Sequence, residues 1–145
     1  MSKIKNLYQL LQTAYGKYVR ILEKYLSSVL LLAIRIWIGL VFFKSGLVKL
    51  SNIDYAIMLF TYEYSLPFVP PILATIIAMT FELACGLCII LGLLTRITAL
   101  PLIGMTLVIQ LLVFQNQEHF YWLFLLSVLS VYGSGKISSD YVIKK

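Results

Sequence analysis

PILATIIAMTFELACGLCIILGLL, residues 71–94, contains a single charged side chain, that of Glu82. A helix needs about 20 apolar residues to cross the roughly 30 Å hydrocarbon core of a bilayer, so this run predicts a membrane-spanning helix. The rest of the 145-residue chain agrees, because 61% of it is hydrophobic, only 12% is charged and its mean hydropathy is +0.92. So little polar surface cannot cover a water-soluble globule. We therefore predict an integral membrane protein.

Four apolar runs predict the fold. They cover residues 26–50, 71–94, 97–114 and 119–133, and the last is the shortest. Backbone groups inside a bilayer must be hydrogen-bonded internally, which favours helices. We expect an all-α, polytopic membrane protein with a four-transmembrane-helix bundle over residues 26–135. A short basic C-terminal tail, 136–145, follows.

Residues 1–25 form an amphipathic N-terminal tail. They lack the short apolar core of a cleaved signal peptide, so we expect the tail to be retained. Its spacing predicts a helix lying on the bilayer surface, and packing of its apolar stripe on another protein is the alternative. The apolar positions are Ile4, Leu7, Leu11, Tyr15, Tyr18, Leu22 and Tyr25, and the basic ones are Lys3, Lys5, Lys17, Arg20 and Lys24.

The distribution of charge predicts the orientation. The N-terminal tail, the turn at Arg96 and the C-terminal end are basic, whereas the loops around Asp54, Glu63 and Glu118 are acidic. Cytoplasmic loops carry the excess of lysine and arginine, so we expect both termini to be cytoplasmic. The net charge of +6 then indicates attraction to anionic lipid rather than to nucleic acid.

Glu82 should need a cationic partner, because an isolated charge at the bilayer centre costs about 2.5–3.5 kcal/mol on insertion scales. Arg35 and Lys44 on the first span are the candidates for this polar intramembrane site. Lys44 points away from the glycine-bearing face that carries Arg35, Gly39 and Gly46, so Arg35 is the favoured partner. A structural ion pair and a proton or ligand handle both remain open.

A second candidate ligand site lies at the predicted outer rim. The fourth span begins with His119 and Trp122, and aromatic residues favour the membrane interface. They should face the loop that follows residue 60. Taken singly, each is most simply an interfacial anchor, but together they outline a possible pocket. Its residues are Lys49, Glu63, Tyr64, His119 and Trp122.

The chain has two cysteines, Cys85 and Cys88, with the C-x-x-C spacing of thiol redox pairs. Their depth in the second span argues for helix packing instead, because apolar burial suppresses thiolate formation. No third soft ligand lies nearby in sequence, so no metal site is predicted. Thr106 and Gln110 on the third span are interpreted as interhelical hydrogen-bonding groups.

Five motifs occur in an order that resembles the DoxX family of small bacterial membrane proteins. They are RIWIGLVFFKSGLVKL (35–50), F-x-x-E-Y-x-x-P (60–67), E-x-x-x-G-x-x-x-x-x-G-L-x-T-R (82–96), E-H-x-x-W (118–122) and G-x-G-x-x-S-x-D (133–140). The resemblance implies a four-helix protein of the bacterial inner membrane. It also draws attention to Arg96 and Asp140 as residues of a cytoplasmic turn.

For function, the resemblance implies a membrane subunit of a quinone-linked redox system concerned with sulfur compounds or thiols. A quinone is the candidate ligand, other redox-complex subunits are the expected partners, and complete catalytic activity in this chain alone is left open. His119 is the only histidine, so bis-histidine haem ligation within one chain is impossible. The alternatives are a small transporter or permeability factor, and a thiol oxidoreductase using Cys85 and Cys88.

Overall fold

The structure, a computed structural model, describes residues 2–64, 66–67, 69–113 and 115–143, with residues 2–8, 10 and 24 described by their backbone alone. All six elements in these ranges are helices. Lys144 and Lys145 of the predicted basic end lie outside the described residues. The helices are α1 Ser2–Ser51, α2 Ile53–Tyr62, α3 Pro71–Leu91, α4 Thr95–Leu112, α5 Gln117–Tyr132 and α6 Ser139–Ile143.

α1 is one unbroken helix of 50 residues, about 75 Å long at 1.5 Å per residue. The sequence predicts a separate surface helix over residues 1–25, but the structure shows no break where that tail meets the first span. No proline precedes Pro67, and Gly16 is the only glycine before Gly39, so nothing in the sequence interrupts the hydrogen-bond ladder.

Among the residues that the structure describes, three helices are long and apolar enough to cross a membrane, namely α1 from residue 11 onward, α3 and α4. α5 has 16 residues, somewhat fewer than the roughly 20 that a span usually needs. The structure is therefore a helical bundle of the membrane type. The fourth span stays a prediction.

Local signals explain where the helices end. Pro71 begins α3 because proline is tolerated in the first turn. Gly92 ends α3 with a left-handed φ of 71°, and the Leu93 N–H donates to Cys88 O at 2.8 Å, which is the Schellman arrangement. The Asn52 side chain accepts from the Tyr55 N–H at the start of α2. These caps turn the chain sharply enough to pack successive helices together.

α1 and α3 pack closely through glycines, as the polar and glycine-bearing faces predict. A Cβ atom on Gly86 would lie 2.9 Å from the backbone nitrogen of Phe43 and 3.1 Å from the carbonyl oxygen of Gly39. A Cβ on Gly46 would lie 3.1 Å from the Cβ of Glu82. The predicted glycine-bearing face of the first span, with Gly39 and Gly46, is thus confirmed, and Gly86 of α3 lies against it. These contacts also set the register that places the polar side chains.

An apolar layer fills the middle of the bundle. Its side chains come from α1, α3, α4 and α5, so all four helices share one core. This layer separates the polar groups at the end of the bundle where α3 begins from the polar groups at the end where α4 begins. The fully buried apolar members are Ile38, Ile89, Ala99, Leu102, Leu126 and Leu129.

Candidate ligand-binding cavity

Lys49 and Glu82 form a buried ion pair between α1 and α3. Lys49 Nζ donates to Glu82 Oε1 at 2.9 Å and to Oε2 at 2.8 Å. It also donates to Ser45 Oγ at 2.8 Å, one helical turn earlier on α1. The two side chains are only 14% and 6% exposed. Both charges are therefore compensated away from solvent, as a membrane interior requires.

The predicted pairing of Glu82 with Arg35 is wrong. The glycine contacts put Glu82 level with Gly46, and Arg35 lies eleven residues further down α1, a rise of about 16 Å. A lysine at position 49 is only three residues above that level, and helical side chains lean toward the N-terminus of their helix. Lys49 therefore reaches down to the carboxylate, and Arg35 does not reach up to it.

Lys44, the other predicted partner of Glu82, lies on the opposite side of α1 from Lys49. Its side chain is exposed, and the only carboxylate–cation pair within 4 Å among the described side chains is Lys49 with Glu82. The sequence-based expectation that Lys44 points away from the polar face therefore agrees with the structure. The prediction that Lys44 belongs to the Glu82 site disagrees with the structure.

His119 is held in one orientation by α4. Its Nδ1 lies 2.7 Å from Gln110 Oε1, and the same oxygen accepts from the backbone N–H of Asn116 at 3.0 Å. A backbone N–H can only donate, so Oε1 is the acceptor and Nδ1 carries the proton of the neutral ring. The prediction of an interhelical role is confirmed for Gln110. Thr106 instead donates to Leu102 O within α4, at 2.7 Å.

One cavity of about 190 Å³ is lined by Ser45, Lys49, Glu82 and His119 among others. We call it the Lys49 cavity. It brings together polar groups from α1, α3 and α5 with aromatic walls. Trp122 makes an edge contact with Phe42, with ring centroids 5.7 Å apart. The lining residues are Val41, Phe42, Ser45, Lys49, Phe60, Tyr64, Ala78, Glu82, Met105, Thr106, Ile109, Asn116, His119 and Trp122.

Tyr64, in the loop after α2, contributes a hydrogen-bond donor to this cavity. Its ring contacts Phe60 edge-on at 5.0 Å. Burial raises the pKa of the Tyr64 hydroxyl, and the negative charges of Glu63 and Glu82 act in the same direction. The hydroxyl therefore stays protonated at neutral pH.

Four of the five predicted rim residues, Lys49, Tyr64, His119 and Trp122, meet around the cavity. Glu63 does not, because its side chain is exposed and it is absent from the lining. Sequence reasoning placed Glu82 in a different site from these residues, whereas the structure puts it in the same one. It also missed Ser45, although the spacing of four residues to Lys49 was a usable signal.

Arg35, Arg96 and Asp140 belong to the other end of the bundle. The Asp140 carboxylate accepts from the backbone N–H groups of Leu94 at 2.7 Å and Thr95 at 3.2 Å, and so caps α4. Arg35 is 1% exposed and donates from Nη2 to Ile137 O at 2.7 Å. Asp140 attracts its charge electrostatically. Two further guanidinium nitrogens, Nε and Nη1, lack a hydrogen-bond partner among the described residues.

A wider surface depression of about 450 Å³ lies beside this cap, lined in part by Arg96, Tyr132 and Asp140. Arg96 is exposed at its edge, next to Gly133, whose φ is 79°. The Asp140 carboxylate, which lines this depression, accepts the hydrogen bonds that cap α4. Asp140 and Arg35 thus hold residues 137–140 against the bundle, which distinguishes them from the side chains of the Lys49 cavity.

The cysteines lie in the packed part of α3. Cys85 is buried in the apolar core with Ile38 and Ile89, and both Cys85 and Cys88 are free thiols. Over the ranges that the structure covers, no group of three His, Cys, Asp or Glu residues is placed to hold a metal ion.

The family model described as DoxX matches residues 30–115, more than half of the chain. The chain belongs to the DoxX family. In this DoxX protein, the matched segment includes Lys49, Tyr64 and Glu82, whereas His119 and Trp122 lie beyond it. No curated protein and no solved structure shows significant similarity to the chain.

Proposed function

We propose that this DoxX protein is a non-haem membrane subunit of a quinone-linked redox system and that the Lys49 cavity binds the quinone ring. The observation that carries the proposal is a buried ion pair sharing a cavity with aromatic walls. Such a site offers both charged hydrogen-bond donors and flat apolar surfaces. A partner subunit that oxidises a sulfur compound or thiol would supply the electrons.

The size and chemistry of the Lys49 cavity support a single substituted ring as the occupant. A space of about 190 Å³ is below the range of about 300–1,000 Å³ that holds a drug-sized ligand. Quinone carbonyl oxygens are hydrogen-bond acceptors, and the side chains of Lys49 and Tyr64 carry hydrogen-bond donors. Trp122 and Phe42 offer ring faces or edges for stacking.

The ion pair also suits proton handling. Reduction of a quinone to a quinol takes up two electrons and two protons. Lys49 donates hydrogen bonds to both oxygens of Glu82. A proton passed from Lys49 to the quinone therefore leaves a neutral amine beside a carboxylate that can accept the replacement proton. Such intramembrane ionisable groups often mark proton relays.

Two other functions have less support. A transporter needs a polar path, but the fully buried Ile38, Ile89 and Leu102 lie between the polar groups at the two ends of the bundle. A thiol oxidoreductase needs accessible cysteines, but Cys85 is only 7% exposed, within the core. A closed ligand site fits these features better than either alternative.

Quinone binding is tested directly by the fluorescence of Trp122. The chain has two tryptophans, so purified Trp37→Phe protein in detergent reports on Trp122 alone. Titration with decylubiquinone should quench it saturably. Glu82→Gln releases Lys49 from its place, and loss of a hydrogen bond to a charged group costs about 1.5–3 kcal/mol, so we expect Kd to rise about 10- to 100-fold.

Glu63→Gln is the matched control, because it makes the same chemical change outside the cavity and should leave Kd unchanged. Tyr64→Phe removes one hydroxyl and tests the site without disturbing the ion pair. It should weaken binding several-fold. Linear, unsaturable quenching in every variant would rule out a quinone site in this cavity.

A further inference from the structure

Each proton that Lys49 can donate is directed at an acceptor within the chain. An ammonium group has three N–H bonds and accepts none. Lys49 Nζ lies 2.8 Å from Ser45 Oγ and 2.9 and 2.8 Å from the two carboxylate oxygens of Glu82. A ligand carbonyl oxygen must therefore displace one of these acceptors to bind Lys49. The neutral Ser45 hydroxyl is the weaker competitor, because hydrogen bonds between charged groups are stronger.

The buried polar side chains that line the Lys49 cavity offer hydrogen-bond acceptors. Glu82, Thr106 and His119 are at most 5% exposed and belong to the lining. An ionised carboxylate only accepts, and each oxygen of Glu82 has a further lone pair beside the one used by Lys49. Thr106 donates its only hydroxyl proton to Leu102 O at 2.7 Å, so its oxygen retains acceptor capacity alone.

Gln110 makes His119 an acceptor as well. The Gln110 Oε1 atom accepts from the Asn116 N–H at 3.0 Å and lies 2.7 Å from His119 Nδ1. The proton of the neutral ring is therefore on Nδ1, and Nε2 is an acceptor. Gln110 is itself 5% exposed and does not belong to the cavity lining. It can influence a ligand only through the residues that it holds.

The less buried donors of the lining do not distinguish the two redox forms of a quinone ring. Tyr64 and Trp122 are half-buried and Asn116 is exposed, and each carries an N–H or O–H group. A quinone carbonyl oxygen only accepts hydrogen bonds, whereas a quinol hydroxyl both accepts and donates. Both forms can therefore satisfy these donors, and only the acceptors discriminate between them.

We propose that the Lys49 cavity binds the quinol, the reduced ring with two hydroxyl groups, more tightly than the quinone. This inference rests on the proposed function, which places the ring in this cavity. A quinol hydroxyl can donate to Glu82 or His119, whereas a quinone carbonyl beside the same atoms brings two acceptors together and leaves both unsatisfied. Gln110 is a positioning residue in this account, and Ser45 competes with the quinone for Lys49.

Binding of the two redox forms to the same protein tests the inference. Trp122 fluorescence of the full-length Trp37→Phe protein in detergent gives Kd for decylubiquinone, and for decylubiquinol kept reduced under nitrogen. We expect the quinol to bind about tenfold more tightly, because it gains a hydrogen bond to a charged group. Equal affinities, or a tighter quinone, would overturn the inference and leave the quinone site in place. Saturable quenching by neither form would overturn the proposed function as well.

Ser45→Ala should change the preference by freeing one N–H of Lys49. We expect quinone binding to tighten by about 2- to 10-fold, with a smaller change for the quinol. Ser127→Ala is the matched control, because the Ser127 hydroxyl donates to Leu123 O on an exposed part of α5. It should leave both dissociation constants unchanged. An equal effect of Ser45→Ala on both forms would contradict the competition for Lys49.

Gln110→Met should act in the opposite sense, on the quinol. It removes the acceptor that fixes His119, so quinol binding should weaken several-fold while quinone binding stays the same. His119 is the chain's only histidine, so nitrogen-15 NMR of its imidazole reports the loss of the Nδ1–H tautomer directly. A changed tautomer with an unchanged ratio of the two dissociation constants would exclude Gln110 and His119 from the preference.

Discussion

Glu82 shows how a charged residue is accommodated in an apolar helix. Its two oxygens share the ammonium group of Lys49, and Ser45 takes a further hydrogen bond from that lysine. Buried ion pairs rarely gain much over an apolar pair, because desolvation offsets the attraction. What the pair contributes is a unique register and a polar wall for the cavity.

We expect the two charges to be strongly coupled in stability. Lys49→Met or Glu82→Leu alone leaves one buried charge without its partner and should lower the free energy of unfolding by about 3–5 kcal/mol. The double variant removes both charges and should lose less than either single variant. Denaturant unfolding in detergent measures this, and additive losses would show that the pair is not coupled.

At the level of elements, the contact between α1 and α3 depends on the absence of side chains. Gly86 has the backbone of Phe43 and Gly39 around the position of its missing Cβ. Backbone cannot move aside as a flexible side chain does, so a larger residue must separate the helices. Small residues provide such close approach in membranes, where no hydrophobic drive holds helices together.

Gly86→Ala should therefore destabilise the protein by about 1–3 kcal/mol, the usual cost of overpacking a well-packed core. Gly104→Ala is the matched control on α4, because nothing lies within 4 Å of its added Cβ. Alanine favours helix over glycine, so this control should be neutral or slightly stabilising. Thermal unfolding of the two variants side by side gives the comparison. Equal melting temperatures would contradict the close packing described above.

At the scale of the whole molecule, the two ends of the bundle differ in kind. One end holds the Lys49 cavity under α2 and the loop with Tyr64. At the other end, Asp140 caps α4 and Arg35 holds Ile137, so the chain end is bound to the helices. Arg96 and Lys136 add positive charge there, which is typical of a cytoplasmic surface.

We therefore expect both chain ends on the cytoplasmic side of a bacterial inner membrane, with α5 as the fourth crossing. A phosphatase reporter fused after residue 145 should be inactive, because it folds only outside the cytoplasm, and a fluorescent protein fused there should be bright. The same pair of reporters fused after residue 64 should give the opposite result. An active phosphatase at residue 145 would place that end of the chain outside the cytoplasm and contradict this topology.

The sequence alone determined the membrane class, the ends of α3, α4 and α5 to within three residues, and the glycine face of α1. These features depend on composition and on a periodicity that each helix carries by itself. It did not determine which cation meets Glu82. That choice depends on the register of α1 against α3, which arises from close packing at Gly39, Gly46 and Gly86. Lys49 and Arg35 lie 14 residues apart on α1, about 21 Å of helical rise, and only the tertiary contacts decide which of them is level with Glu82.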